Sequence, residues 1–410
     1  MKKALLLRGL VLCLIFCMMI PYLASCAQEE PQTPVPDVTD TEPAPDTQPS
    51  DTGSNTPTPP VSEEEPDTPE YPMVSAEERY TERTLSLTTK QVSKRIKADG
   101  RSYVSGKGMT LDWSAAALEF RADCEGTLKA RFYATMEVTV KVYVDGNYRK
   151  TLTLAKAKYS DCTLATGLTA GEHTVRLLRT TKVEFSNVGA LAELCEITLS
   201  GVLKERPADK QYMIEFVGDS VTSGVGTQVG DETAYGDETY AYQTAQRLGT
   251  DYSIVSVPGI GTLTSTSRHN GLNISTVYDK YNYYRTPSWT YEPDERKADL
   301  VVFATNANDP ASSDETQFKQ QVRTLITKAQ RTHGNDTKFI WVFNMYNNKD
   351  ATLNQYVKDV FAEYGGEAAG FYTLDFYVNN LGGVEHPSGA AHDDYTDLLV
   401  ELIQSKHILG

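Results

Sequence analysis

The apolar pattern of this 410-residue chain changes period once, at "RPADK" (Arg206–Lys210), and that change divides the folding part into two domains of different class. Upstream, from about residue 80, the period is two. In "VTVKVYVDGNYRKTLTL", Val138, Val140, Val142 and Val144 alternate with Thr139, Lys141 and Tyr143. Strand side chains point to alternate faces, so such a run buries one face and wets the other. Asp145-Gly146 supplies the left-handed residues that a two-residue hairpin requires. "LEFRA", "LKARFY", "HTVRLLR" and "CEITLSG" read as further short strands between turn signals. The expectation is an all-β sandwich of jelly-roll type over residues 77–208.

Downstream, over 209–410, strands alternate with helices. "MIEFV", "SIVSV", "DLVVFA", "KFIWVF" and "FYTLDF" read as buried strands. Between them, Phe318, Val322, Leu325, Ile326 and Ala329 form one apolar helix face, and Leu353, Tyr356, Val357, Val360, Phe361 and Tyr364 another. This grammar predicts a doubly wound α/β domain on a parallel sheet, with its chemistry at the C-terminal strand ends.

The first 26 residues form a leader: Lys2, Lys3 and Arg8, an apolar run from Leu10 to Ile20 too short for a membrane span, then "LASC" ending at Cys26. "LASC" resembles the bacterial lipobox. That resemblance implies cleavage before Cys26, a lipid on its sulfur, and export as a membrane-anchored lipoprotein at the cell surface or in the periplasm. Residues 27–76 hold twelve of the nineteen prolines, twelve acidic residues and no Lys or Arg. Such a stretch buries too little apolar surface to offset chain entropy, so it reads as a disordered tether. Without the tether's twelve negative charges and the leader's three positive ones, the formal charge of −16 becomes −7 for residues 77–410. The acidity belongs mainly to the tether, and no basic patch suggests a nucleic-acid partner. Cys13 and Cys17 leave with the leader, while Cys124, Cys162 and Cys195 allow at most one disulfide and show no zinc spacing. The chain is read as a monomer without metal or other cofactor.

The strand ends carry the chemistry. "MIEFV" runs into "GDSVTSG", which places Ser220 just past a strand, with Gly218 for a sharp turn and Asp219 to brace it. A serine needs a base to be nucleophilic at neutral pH. "SIVSV" runs into "PGIGT", whose glycines let a backbone N–H approach a ligand closely. "DLVVFA" runs into "TNANDP", where Asn306 and Asn308 offer amide donors. The last loop, "GGVEHPSGAAH", supplies His386. A nucleophile, oxyanion donors and a base thus come to one rim in order.

These four blocks resemble the SGNH (GDSL-type) hydrolase superfamily, a flavodoxin-like fold. The block-one serine matches Ser220, the block-two glycine matches Gly261 with Gly259 as second choice, the block-three asparagine matches Asn308, and the block-five histidine matches His386. The sandwich, "EFVGDSVTSGVG", "ETYAYQTAQRLGTDYSIVSVPGIG" and "HPSGAAH" together resemble carbohydrate esterase family 2, which couples a jelly roll to an SGNH domain. The resemblance covers about residues 80–405. It implies a serine esterase that deacetylates plant polysaccharide or oligosaccharide, with Ser220, Gly261 and Asn308 as oxyanion donors. Two positions depart from the pattern. Asn306 stands where block three has glycine, and Val384 and Gly383 stand where the aspartate before the histidine is usual. The carboxylate orients the imidazole rather than taking its proton. The resemblance therefore implies a Ser220–His386 dyad, with a loop carbonyl or Glu385 orienting the ring.

Rival readings are a peptidoglycan or capsule esterase and an inactive glycan-binding surface protein. His392 is expected to cap or pack the last helix, and His173, His269, His333 and His407 have no motif around them. The run "YDKYNYYRTPSWTY" offers aromatic faces either to sugars or to packing. The sandwich binds glycan itself or completes the catalytic cleft.

Overall fold

A computed structural model describes Ser75 and residues 78–181, 191–228, 235–266, 269, 271–283, 290–291, 296–343, 351–376, 382 and 386–410. The leader with Cys26, and the tether apart from Ser75, lie outside the described residues.

The N-terminal domain is an antiparallel sheet of eight strands: β1 (Glu82–Ser86), β2 (Lys97–Asp99), β3 (Met109–Thr110), β4 (Ala117–Ala134), β5 (Val138–Val144), β6 (Asn147–Leu154), β7 (Lys158–Arg179) and β8 (Ala192–Leu203). A short helix, α1 (Lys90–Ser93), follows β1. The main order is β1-β8-β4-β7-β5-β6, with β2 on β4 and β3 on β8. Val138 to Val144 alternate between buried and half-buried, as the period of two requires. Asp145 (φ +54°) and Gly146 (φ +74°) close the β5–β6 hairpin. "LEFRA" and "LKARFY" are not separate strands but the two halves of β4. Gly126, at φ +74°, joins them where the register against β7 and β8 shifts. The turn signal was local: a bulge bends a strand without ending it. The long bent strands fold the sheet over its own apolar face as a jelly roll, enclosing Phe120, Phe132, Val140, Val142, Val175 and Leu177.

The second domain holds β9 (Met213–Gly218), β10 (Asp251–Ser256), β11 (Leu300–Ala304), β12 (Lys338–Phe343) and β13 (Phe371–Asp375), all parallel, in the order β10-β9-β11-β12-β13. Its helices are α2 (Ser220–Ser223), α3 (Tyr240–Leu248), α4 (Ile274–Val277), α5 (Glu315–His333), α6 (Ala351–Glu363) and α7 (Gly389–Ser405). Phe318, Val322 and Leu325 of α5 and Val357 and Val360 of α6 pack on the sheet face that carries Val301, Phe303 and Trp341. Tyr240 of α3 and Tyr395 and Leu399 of α7 pack on the opposite face, with Phe216, Val302 and Ile340. Helices on both faces make the sheet doubly wound, and the strand order reverses beside β9. Crevices form where successive connections diverge in this way, here between the ends of β9 and β11.

Buried polar contacts join the two domains. Arg101 donates to both carboxylate oxygens of Glu215 on β9, at 3.0 and 3.1 Å. Lys97 Nζ lies 2.6 Å from Asp251 Oδ1, and Arg176 donates to the Tyr252 hydroxyl at 3.0 Å. Cys124, Cys162 and Cys195 are all free thiols.

Candidate active site

β9 ends at Gly218, and the chain turns sharply into α2. A Cβ on Gly218 would lie 1.9 Å from Thr222 Oγ1, so only glycine lets the turn close. Asp219 caps the helix: its Oδ1 accepts the Val221 N–H at 3.0 Å. Ser220 is the first helical residue, 9% exposed at the rim of the sheet. From the far end of the chain, His386 comes up to meet it, with Nε2 2.8 Å from Ser220 Oγ. The His386 loop is fastened below: Gly382 N–H donates to His386 O at 2.5 Å, Gly389 N–H donates to Thr227 O at 2.7 Å, and Ser388 caps α7. Residues 383–385 lie outside the described residues, and with them Glu385, one sequence-based choice for orienting the His386 ring.

Block three comes to the same rim. Asn308 Nδ2 donates to Ile260 O at 2.8 Å and, across the site, to Asp219 Oδ2 at 3.3 Å. Asn306 points elsewhere, donating to Asn354 Oδ1 on α6 at 3.2 Å. The glycine loop is tied to block one by Val257 N–H, which donates to Gly218 O at 3.1 Å. Within it, the Gly261 N–H is already donated to Ser265 Oγ at 3.0 Å. That engagement separates the two glycines, because Gly259 N–H has no such partner among the described residues.

Asp309, to which no role was given from sequence, organises the loop. Its Oδ1 accepts the Leu263 and Thr264 N–H groups at 2.9 and 2.7 Å, and its Oδ2 accepts Thr262 N–H at 2.7 Å. Burial still holds its carboxyl above the ordinary range. Burial likewise lifts Asp219 to about 7, and the charge of Asp309 adds to the effect. The only sequence signal for Asp309 was its place beside Asn308 in "NANDP".

Other candidates fall away from the rim. His392 is buried in α7 and accepts the Tyr240 N–H at 3.1 Å, so it caps the start of α3. Tyr278 is fully buried, which makes it packing rather than a sugar platform. Residues 284–289, with Trp289, lie outside the described residues.

Comparison with known proteins agrees with this architecture. Residues 98–191 match the carbohydrate esterase 2 N-terminal family, and residues 214–397 match the GDSL-like lipase/acylhydrolase family. A cellulase/esterase, CelE, of Acetivibrio thermocellus is 25% identical over 225 residues, 50% of this chain. The match spans only 27% of that protein's length. A family two carbohydrate esterase from Cellvibrio japonicus superposes with a TM-score of 0.70 at 18% identity, covering 80% of this chain and 99% of that one. An acetyl xylan esterase, Est2A, from Butyrivibrio proteoclasticus gives 0.67 at 17% identity, covering 80% and 98%. The two domains of the chain are thus matched in series by the carbohydrate esterase 2 N-terminal family and the GDSL-like lipase/acylhydrolase family, and the chain is similar in sequence pattern and fold to the family two carbohydrate esterases.

Proposed function

We propose that the protein removes O-acetyl groups from a xylan-like plant polysaccharide or oligosaccharide through Ser220 and His386. The 2.8 Å contact between Ser220 Oγ and His386 Nε2 carries this reading, because it joins nucleophile and base at the mouth of the sheet. As Ser220 Oγ attacks the acetyl carbonyl carbon, its proton passes to His386 Nε2. The carbonyl oxygen becomes an oxyanion facing the Ser220 N–H, a loop glycine N–H and the Asn308 amide, which gives up its long 3.3 Å bond to Asp219 Oδ2 in order to donate there. Gly259 takes the loop role in preference to Gly261, whose N–H is spent on Ser265. The tetrahedral adduct collapses with the C–O bond to the sugar breaking, and His386 gives its proton to the departing sugar oxygen. Water then attacks the acetyl-serine by the same route, releasing acetate and restoring Ser220 Oγ–H. A lipid on Cys26 and the acidic tether would hold the enzyme at the outside of the cell, where such glycans are met.

The test is acetate release from acetylated xylan by the chain lacking residues 1–26, beside its Ser220→Ala form. Release by the first alone supports the reading. Turnover of an aryl acetate without release from xylan keeps the chemistry and removes the substrate. No turnover of either overturns the enzymatic role of Ser220.

A further inference from the structure

The glycine loop, joined to Gly218 through the Val257 N–H, is also held at Pro258. Pro258 O lies 3.0 Å from His269 Nε2, and His269 Nδ1 lies 3.0 Å from the Tyr283 hydroxyl. A carbonyl oxygen only accepts, so Nε2 carries the proton, and in the neutral ring Nδ1 accepts from Tyr283. His269 is 1% exposed, so bulk water does not compete for either bond. The peptide linking Pro258 to Gly259 is trans and planar, with its C=O and N–H antiparallel. Holding Pro258 O toward His269 therefore turns the Gly259 N–H the opposite way. Neighbouring bonds stop the plane from rolling: Val257 N–H donates to Gly218 O, and Ile260 O accepts from Asn308. Gly259 sits at φ +81°, and a Cβ there would lie 2.8 Å from Thr266 Oγ1 and 3.4 Å from His269 Nε2. The backbone thus rests directly against the imidazole.

We propose that His269 is a positioning residue for the acyl transfer: by holding the Pro258 carbonyl, it directs the Gly259 N–H as an oxyanion donor. This rests on the esterase reading above. The sandwich domain enters through Tyr283. Arg101 donates to Tyr278 O and to Lys280 O, Trp113 Nε1 donates to Tyr281 O at 2.6 Å, and Asn282 donates to Asp112 Oδ2 at 3.0 Å. The N-terminal domain thus grips the segment that carries Tyr283, the partner of His269 Nδ1.

The experiment uses the mature chain with 4-nitrophenyl acetate, active sites being counted by stoichiometric fluorophosphonate labelling of Ser220. For His269→Leu, kcat per labelled site is expected to fall about tenfold to a hundredfold with KM little changed, short of the full loss of an oxyanion donor. His269→Gln, which keeps an N–H donor, should recover part of it. Affinity for a phenylboronic acid, which forms a tetrahedral adduct on the serine, should fall by the same factor as kcat. Unchanged kcat per site in His269→Leu, or a loss of kcat with boronate affinity intact, overturns the assignment. Should His269→Leu not fold, Tyr283→Phe carries the same expectation at a smaller factor, and unchanged kcat there overturns it too. An inert wild type would instead sink the esterase reading itself.

Discussion

Arg101 and Glu215 form an ion pair in which neither side chain is exposed at all, one partner from each domain. Glu215 also accepts from His333 Nε2 at 3.0 Å. The attraction of Arg101 and these hydrogen bonds outweigh the burial that opposes ionisation, and they hold the Glu215 carboxyl well below its ordinary range. Removing one partner of such a pair leaves the other buried and unmatched. Arg101→Met is expected to lower unfolding free energy by about 3–5 kcal/mol, read from urea midpoints. Arg101→Met with Glu215→Leu should recover much of that loss. A double variant no better than the single would mean that Arg101 acts mainly through its bonds to Tyr278 O and Lys280 O.

The two asparagines of block three should separate cleanly. Asn308 Nδ2 faces Asp219 beside Ser220, while Asn306 is tied to Asn354 on α6. Asn308→Ala is expected to lower kcat on an aryl acetate about a hundredfold to a thousandfold, the cost of one oxyanion donor. Asn306→Ala should lower stability and leave kcat per active site near wild type. Equal losses of kcat would show that Asn306 also faces the substrate.

Ser265→Ala tests the same division in the glycine loop. Ser265 Oγ is the acceptor for the Gly261 N–H, so the variant frees that N–H without touching Ser220 or His386. If Gly261 is no oxyanion donor in the working enzyme, kcat stays near wild type while the melting temperature falls slightly. A rise in kcat would mean that the freed N–H joins the oxyanion site, which would return that role to Gly261.

Much of this architecture was legible because it is written in short-range pattern. The alternating valines 138–144, the Asp145-Gly146 turn and the five apolar runs each declare an element locally, and each strand end then declares its residue. What escaped is long-range. Nothing near His269 tells that it meets Pro258, since the bond depends on how the intervening loop folds back. The Gly126 bulge looks locally like a turn because glycine at positive φ serves both. "MIEFV" was read only as a buried strand, and the partner that lets its carboxylate Glu215 be buried lies in the other domain, at Arg101.

Two buried groups near the site should make stability respond to pH in opposite senses. Burial, helped by Asp309, lifts the Asp219 carboxyl to about 7, whereas in the unfolded chain it titrates near 3.8. The stability this gives is complete below the unfolded value and is lost as pH rises toward 7. Burial, helped by the nearby His386, pushes His392 down to about 3 from an ordinary 6.5. Its contribution is complete above 6.5 and is lost as pH falls toward 3. Between these limits the two slopes oppose each other in the wild type. Asp219→Asn removes the falling slope, so its stability should climb more steeply with pH than wild type. His392→Gln can still accept the Tyr240 N–H through its side-chain carbonyl but removes the rising slope, so its stability should tilt the other way. Urea midpoints for the three proteins at several pH values between these limits decide it. Curves that run parallel to wild type for either variant would show that the group in question does not titrate differently in the folded and unfolded chains.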